Sequence, residues 1–387
     1  MIRSSFLSQA LALALLAFPF MGHPAADEPP LKLGAVFNLS GRQAPHDIPS
    51  SHGASLAVDE INASGGVLGR TLALVPVDGK TDLTVLKAEI VRSLAANPEI
   101  LAYFGLSDTD NVLAAAPSAA AEGKVFLTSG ATSPELPDEV PTYLFLACFG
   151  DNVQAAAAAE WAFTERGAKT AIVLADMQRT YPKLLQNYFA EAFTGLGGRI
   201  LNRTEIDPDA RGWTLPDTSS ADMVFVSVET AHNAARIVSA LRKQGYQGPV
   251  LGGDGYDDDG VWSRNPEIGN VYFTTHVYLG KGAARPEVVS FKDAYAAAFP
   301  GEAPTSFAAL AYDAAGLLAA AVTTSGEPTK TGILNGLLQI KQFDGVTGKI
   351  SFPDGSRIPL KSVSLIEVSE GELRLAKEIL PGSVPAP

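Results

Sequence analysis

The sequence has one cysteine, Cys148, so no disulfide can form within the chain. It also has no run of lysine or arginine, and its net charge is −13. That balance makes nucleic acid and anionic membrane surfaces poor partners. The patterns that carry common chemistry are missing too. No Gly-x-Gly-x-x-Gly follows a predicted strand, and Gly195-Leu196-Gly197-Gly198 reads as a helix end. There is no phosphate loop ending in Gly-Lys-Ser/Thr, no Gly-x-Ser-x-Gly elbow and no His-Glu-x-x-His zinc site. The five histidines are scattered, and His46 and His52 lack a carboxylate at ligand spacing. The acidic stretch Asp254–Gly260 departs from calcium-loop spacing, and its Asp257–Asp259 run reads as a solvated loop or a helix start. Neither a metal nor a cofactor is expected, and the absences favour binding over catalysis, although a fold class alone does not decide function.

What is present points to export and to two lobes. Arg3 precedes the apolar run Ala10–Phe18, and the small residues Ala25-Ala26 follow. That order predicts a secretory signal over 1–26, cleaved near Ala26 and too short for a bilayer span. With no cysteine near the signal, a lipid anchor is not expected, and the predicted location is the periplasm. The remaining length suits two domains. Composition agrees with a folded chain, at 46% hydrophobic and 18% charged residues.

The chain alternates strand and helix. Leu31–Phe37, Leu72–Val77, Ile100–Phe104 and Val125–Leu127 read as buried strands. Ala54, Ala57, Val58 and Ile61 form a helical stripe that ends at Gly65-Gly66. The rhythm restarts with the stripe Val153, Ala156, Ala157 and Trp161, then strands at Ala171–Leu174, Met223–Val226 and Pro249–Leu251. Helical segments lie near Tyr295, at 310–318 and at 334–337, and the tail is strand-rich over 348–352, 362–368 and 373–379. Asp344-Gly345 and Asp354-Gly355 read as turns. Alternation of this kind means crossover connections and parallel sheets covered on both faces. Two such series predict two similar lobes.

Three stretches carry a resemblance. Ser40-Gly41 followed by Gly53-Ala54-Ser55-Leu56-Ala57-Val58-Asp59-Glu60-Ile61-Asn62-Ala63-Ser64-Gly65-Gly66-Val67-Leu68-Gly69 resembles the opening of the leucine/isoleucine/valine-binding protein family, the type I periplasmic solute-binding proteins of ABC transporters. Asp78 and Asp82 look like the family's acidic strand end, and Ala131-Thr132-Ser133-Pro134-Glu135-Leu136 looks like its signature. The similarity runs from Leu31 to about Ile379. It implies an α/β fold of two Rossmann-like lobes joined by three crossovers. Carried onto this chain, one lobe is 27–147 plus 277–358, the other is 148–276 plus 359–381, and 382–387 is a tail. It further implies a monomer that closes about a hinge on a small molecule and docks on an ABC transporter permease.

The resemblance also suggests where a ligand sits. In open α/β lobes the site lies at the carboxyl ends of strands, where helix N-termini offer free N–H groups. Thr109 stands where a carboxylate-binding hydroxyl usually sits, and its other reading is a helix cap. Gly130 and Thr132 match positions that offer a backbone group and a hydroxyl. Tyr181 looks like the family's cleft-facing tyrosine. Asp254 resembles its ammonium-binding acid, one methylene shorter than the usual glutamate. Glu229 either reaches the cleft or faces solvent. Specificity is expected from the loop Arg42–His52 and from Phe307. There, His46-Asp47-Ile48-Pro49 departs from the family pattern, and His46, Asp47 and Glu229 together suggest a polar ligand tail rather than leucine or valine. The leading function is therefore capture of an amino acid or a similar solute for transport. Alternatives are binding of an amide, urea or aromatic acid, presentation of ligand state to a membrane receptor, and an exported enzyme.

Overall fold

The computed structural model describes residues 28–387, and the expected leader and its cleavage point fall outside them. The first sheet is built from β1 (Leu31–Phe37), β2 (Leu72–Asp78), β3 (Ala102–Gly105), β4 (Phe126–Thr128) and β5 (Leu144–Leu146), in the order β2-β1-β3-β4-β5 and wholly parallel. The helices between these strands are α1 (Ala44–Ala63), α2 (Leu83–Ala96), α3 (Thr109–Ala121) and the short α4 (Leu136–Glu139). Asp82 starts α2 as its cap, accepting from the Thr84 and Val85 N–H groups at 2.8 and 3.0 Å.

The second sheet follows a crossover at 147–150. It holds β6 (Thr170–Ala175), β7 (Arg199–Glu205), β8 (Met223–Ser227), β9 (Val250–Gly252) and β10 (Val271–Thr275), interleaved with α5 (Asp151–Thr164), α6 (Thr180–Gly195), α7 (Ala231–Lys243) and α8 (Asp259–Ser263). The chain then returns to the first lobe as α9 (Pro286–Ala298), α10 (Ser306–Ser325), α11 (Lys330–Gln339) and the hairpin β11 (Phe343–Gly345) with β12 (Gly348–Ile350). It crosses once more to finish as β13 (Val363–Ser369) and β14 (Glu372–Ile379), the antiparallel end of a sheet ordered β14-β13-β10-β9-β8-β6-β7. Apolar clusters lie on both faces of each sheet, as buried parallel strands require.

Helix α10 is long and apolar enough to cross a membrane by length and composition alone. It is instead the packed spine of the first lobe. Gly53 lets α1 lie directly on it, since a Cβ there would stand 2.0 Å from the Ala308 carbonyl oxygen. Its one acid, Asp313, accepts the Val346 and Thr347 N–H groups, both at 2.8 Å.

Several details differ from the sequence reading. The expected loop Arg42–His52 is mostly the first turns of α1, which begins at Ala44. Pro45 fits a helix start, where its missing N–H is not needed. Pro49 lies inside and forfeits only the hydrogen bond back to Pro45. Asp344-Gly345 belongs to β11, so the hairpin turns one step later, at Val346-Thr347.

Candidate functional site

Each sheet reverses its strand order at one place, between β1 and β3 in the first lobe and between β6 and β8 in the second. Loops diverge there at the carboxyl ends of the strands and leave a crevice. The two crevices face each other. Thr109 follows β3, Gly130 and Thr132 follow β4, and Phe307 opens α10. From the other lobe, Tyr181 follows β6, Glu229 follows β8 and Asp254 follows β9.

The lobes touch across this crevice. Arg42, ahead of α1, forms an ion pair with Glu229 Oε2. Thr180, at the start of α6, donates its hydroxyl to Asp110 on α3. Between the lobes remains a cavity of about 20 Å³. That is space for roughly one water, so a solute is admitted only as the lobes part. His46, Tyr181, Glu229 and Phe307 line it, with Ser107 and Asp108. Larger hollows exist elsewhere, including one of about 980 Å³ beside β13 and β14. The strand ends at the two reversals do not meet there.

On the first-lobe wall, His46 stacks on Phe307 with ring centroids 4.4 Å apart. Burial pushes the His46 imidazole down to about 4, so it is neutral at physiological pH. Gly130 adjoins this wall, where a Cβ would stand 3.1 Å from both the Phe307 ring and Ser107 Oγ. Thr109 is buried and its hydroxyl has no protein partner. The capping of α3 falls instead to Asp108, whose Oδ1 accepts the Asn111 N–H at 2.9 Å. Thr132 is buried, and its carbonyl accepts the Asp151 N–H at 2.6 Å.

From the second lobe, Asp254 is the hub. Its Oδ1 accepts from Tyr181 at 2.7 Å and from Gln154 Nε2 at 2.9 Å, and its Oδ2 accepts from His276 Nε2 at 3.0 Å. Burial opposes its charge, yet the bonds from His276, Gln154 and Tyr181 hold its carboxyl below the ordinary value. Burial pushes His276 below its usual value despite this contact, so the histidine donates as a neutral ring. Three donors leave about one lone-pair site of the carboxylate for a further partner. Gln154 Nε2 also donates to Asp151 Oδ1 at 2.9 Å, so one amide bridges two acids. Burial and the neighbouring Asp254 charge push Asp151 up to about 8. A hydrogen-bonded line thus runs from Thr132 through Asp151 and Gln154 to Asp254 and Tyr181.

Asp47 does not join the cleft. Its Oδ2 accepts the Asn38 backbone N–H and side-chain Nδ2, both at 2.8 Å, which ties α1 to the end of β1. The suggestion that Asp47 contributes to a polar ligand tail is corrected accordingly. Sequence reasoning missed Arg42 as a partner of Glu229, and it missed Asp151, Gln154 and His276. A buried glutamine inside an alanine-rich stripe was the one signal available for this network.

Comparison with known proteins places these observations. Residues 30–372 match the profile of the family described as periplasmic binding protein. A Leu/Ile/Val-binding protein of Rhizobium johnstonii is 24% identical over 378 residues, covering 95% of this chain and 98% of its own. A branched-chain amino acid transporter substrate-binding protein, LivJ of Streptococcus pneumoniae, solved with isoleucine, is 27% identical with a TM-score of 0.80, covering 91% of this chain and 100% of its own. A solute-binding protein of an R. palustris ABC transporter, solved with benzoate, shares the fold at 18% identity and a TM-score of 0.77, covering 92% of this chain and 98% of its own.

Proposed function

The chain belongs to the periplasmic binding protein family, and from that premise we propose that it captures an amino acid, or a similar amine-bearing solute, by closure of its lobes and passes it to an ABC transporter permease. It is a binding protein and not an enzyme, as membership of that family entails. The observation that carries the ligand class is Asp254. This carboxylate is buried at a strand end, is held ionised by neutral donors, and pairs with no lysine or arginine among the described residues. A buried anion without a counter-charge favours a cationic partner. The Tyr181 ring, bonded to Asp254 through its hydroxyl, adds an aromatic neighbour for an ammonium. The unpartnered Thr109 hydroxyl, the Thr132 position and the Gly130 backbone would then serve the carboxylate end.

A second reading is an aromatic acid, favoured by the flat His46–Phe307 wall. The carboxylates Asp108, Asp254 and Glu229 around the cleft count against it, and Arg42, a cation beside them, is already paired with Glu229. Thermal unfolding against panels of amino acids, amides and aromatic acids separates these readings. A ligand at a hundred times its dissociation constant stabilises by about 2.7 kcal/mol, a rise of roughly a few degrees. A rise confined to amine-bearing solutes supports the proposal, and a rise confined to benzoate-like acids overturns it.

A further inference from the structure

We propose that Glu229 is the specificity-determining residue of the cleft, selecting solutes whose far end carries a hydrogen-bond donor (a hydroxyl, a carboxamide or an ammonium), with Arg42 as its positioning residue. This inference rests on the reading of the cleft as an amino-acid site.

Three observations carry it. The first is that Glu229 lines the cavity while being only 6% exposed, and its Oε1 has no protein partner. Its other oxygen is held by Arg42 from the opposite lobe. The carboxylate is thereby fixed with one free acceptor in the enclosed space. The second concerns His46. Gln43 Nε2 donates to Asp108 Oδ2 at 3.4 Å, so Gln43 Oε1 is the group facing His46 Nδ1 at 3.2 Å. The neutral ring must carry its proton on Nδ1, which leaves Nε2 as an acceptor. The third is that Asp108 also lines the cavity and, as a carboxylate, offers only acceptors. The wall beyond the Asp254 end is therefore rich in acceptors. An aliphatic side chain placed there leaves Glu229 Oε1 buried and unpaired. A side chain ending in a donor satisfies it.

Gly255 makes the two ends neighbours. A Cβ there would stand 2.6 Å from the Glu229 carbonyl oxygen, so the Asp254 turn packs directly against the Glu229 loop. One small solute can span both acids.

The test compares ligands of similar shape that differ in the donor: leucine with asparagine, valine with threonine, and norleucine with glutamine and lysine. Dissociation constants are measured by calorimetry on the refolded mature protein and on Glu229→Leu, Glu229→Gln and Arg42→Met. The expected result for the unmodified protein is a preference of about ten- to a hundredfold for the donor-bearing member, the discrimination set by leaving a buried acceptor unsatisfied. Glu229→Leu is expected to bring the members of each pair to within about threefold or to reverse their order. Glu229→Gln, which keeps the volume, loses the preference for lysine in particular. Arg42→Met weakens the preference and removes its dependence on salt. Equal affinity for leucine and its donor-bearing counterpart in the unmodified protein overturns this inference and leaves the amino-acid reading standing. So does an unchanged ratio in both Glu229 variants. Binding of no amine-bearing solute at all overturns the amino-acid reading, and this inference with it.

Discussion

The Tyr181 hydroxyl donates to Asp254 Oδ1 at 2.7 Å. Asp254 accepts two further bonds, but this one comes from a side chain that also lines the cavity. A hydrogen bond to a charged group is worth about 1.5–3 kcal/mol. Tyr181→Phe is therefore expected to weaken amine-bearing ligands about ten- to a hundredfold while the fold persists. Calorimetric titration beside a circular dichroism melt checks this.

Gly53 couples the spine of the first lobe to the site. Adding a methyl group there drives α1 off α10 at the Ala308 carbonyl. One turn earlier, Ser50 donates to the Phe307 carbonyl at 3.1 Å, and His46 stacks on the Phe307 ring. Gly53→Ala should cost about 1–3 kcal/mol of stability through overpacking. It should also weaken ligand binding, because the His46–Phe307 wall shifts with the helix. Chemical denaturation and ligand titration of the one variant measure both effects.

Asp151 and Asp47 make stability depend on pH. Burial raises their folded values to about 8 and about 7, from 3.8 in the unfolded chain. Between about pH 4 and those values the folded state binds more protons than the unfolded state. Stability contributed by these groups therefore falls as pH rises through that window. Asp151→Asn should flatten the decline between pH 5 and pH 8, as read from melting temperatures across the range. A variant as steep as the parent contradicts this assignment.

Lys361 sits at the last crossover and reaches the first. Its Nζ donates to the Ala147 carbonyl at 3.0 Å and to Thr347 Oγ1, and that hydroxyl in turn donates to Asp313 Oδ2. Burial lowers Lys361 to about 8, and the Asp313 charge opposes the fall. Lys361→Met leaves Asp313 buried without its counter-charge, a loss of about 3–5 kcal/mol. The double variant Lys361→Met, Asp313→Asn should recover a large part of it. Urea denaturation of the single and double variants gives both numbers.

Much of this was legible in the residues. Strands such as Leu31–Phe37 are uninterrupted apolar runs, and the strand-end rule together with the family resemblance picks out Thr109, Gly130, Thr132, Tyr181 and Asp254, all of which follow strands, whereas Phe307 comes from the resemblance alone and opens α10. The rest was hidden for physical reasons. β7 (Arg199–Glu205) is a polar, largely exposed edge strand with no apolar period to read. The start of α1 was masked by Pro45 and Pro49, which usually signal a loop. The pairing of Arg42 with Glu229 exists only once two lobes meet, so no local pattern encodes it. Gln154 bridges Asp151, three residues earlier on α5, to Asp254, a hundred residues away, and the second contact has no local signature.

The most direct test of the central claim is a crystal structure of the closed protein with its tightest-binding solute. The account predicts a ligand nitrogen within about 3 Å of the Asp254 carboxylate, with the ligand's acid group toward Thr109 and Gly130. A carboxylate at the Asp254 end, or a solute with no amine held between the lobes, would contradict it.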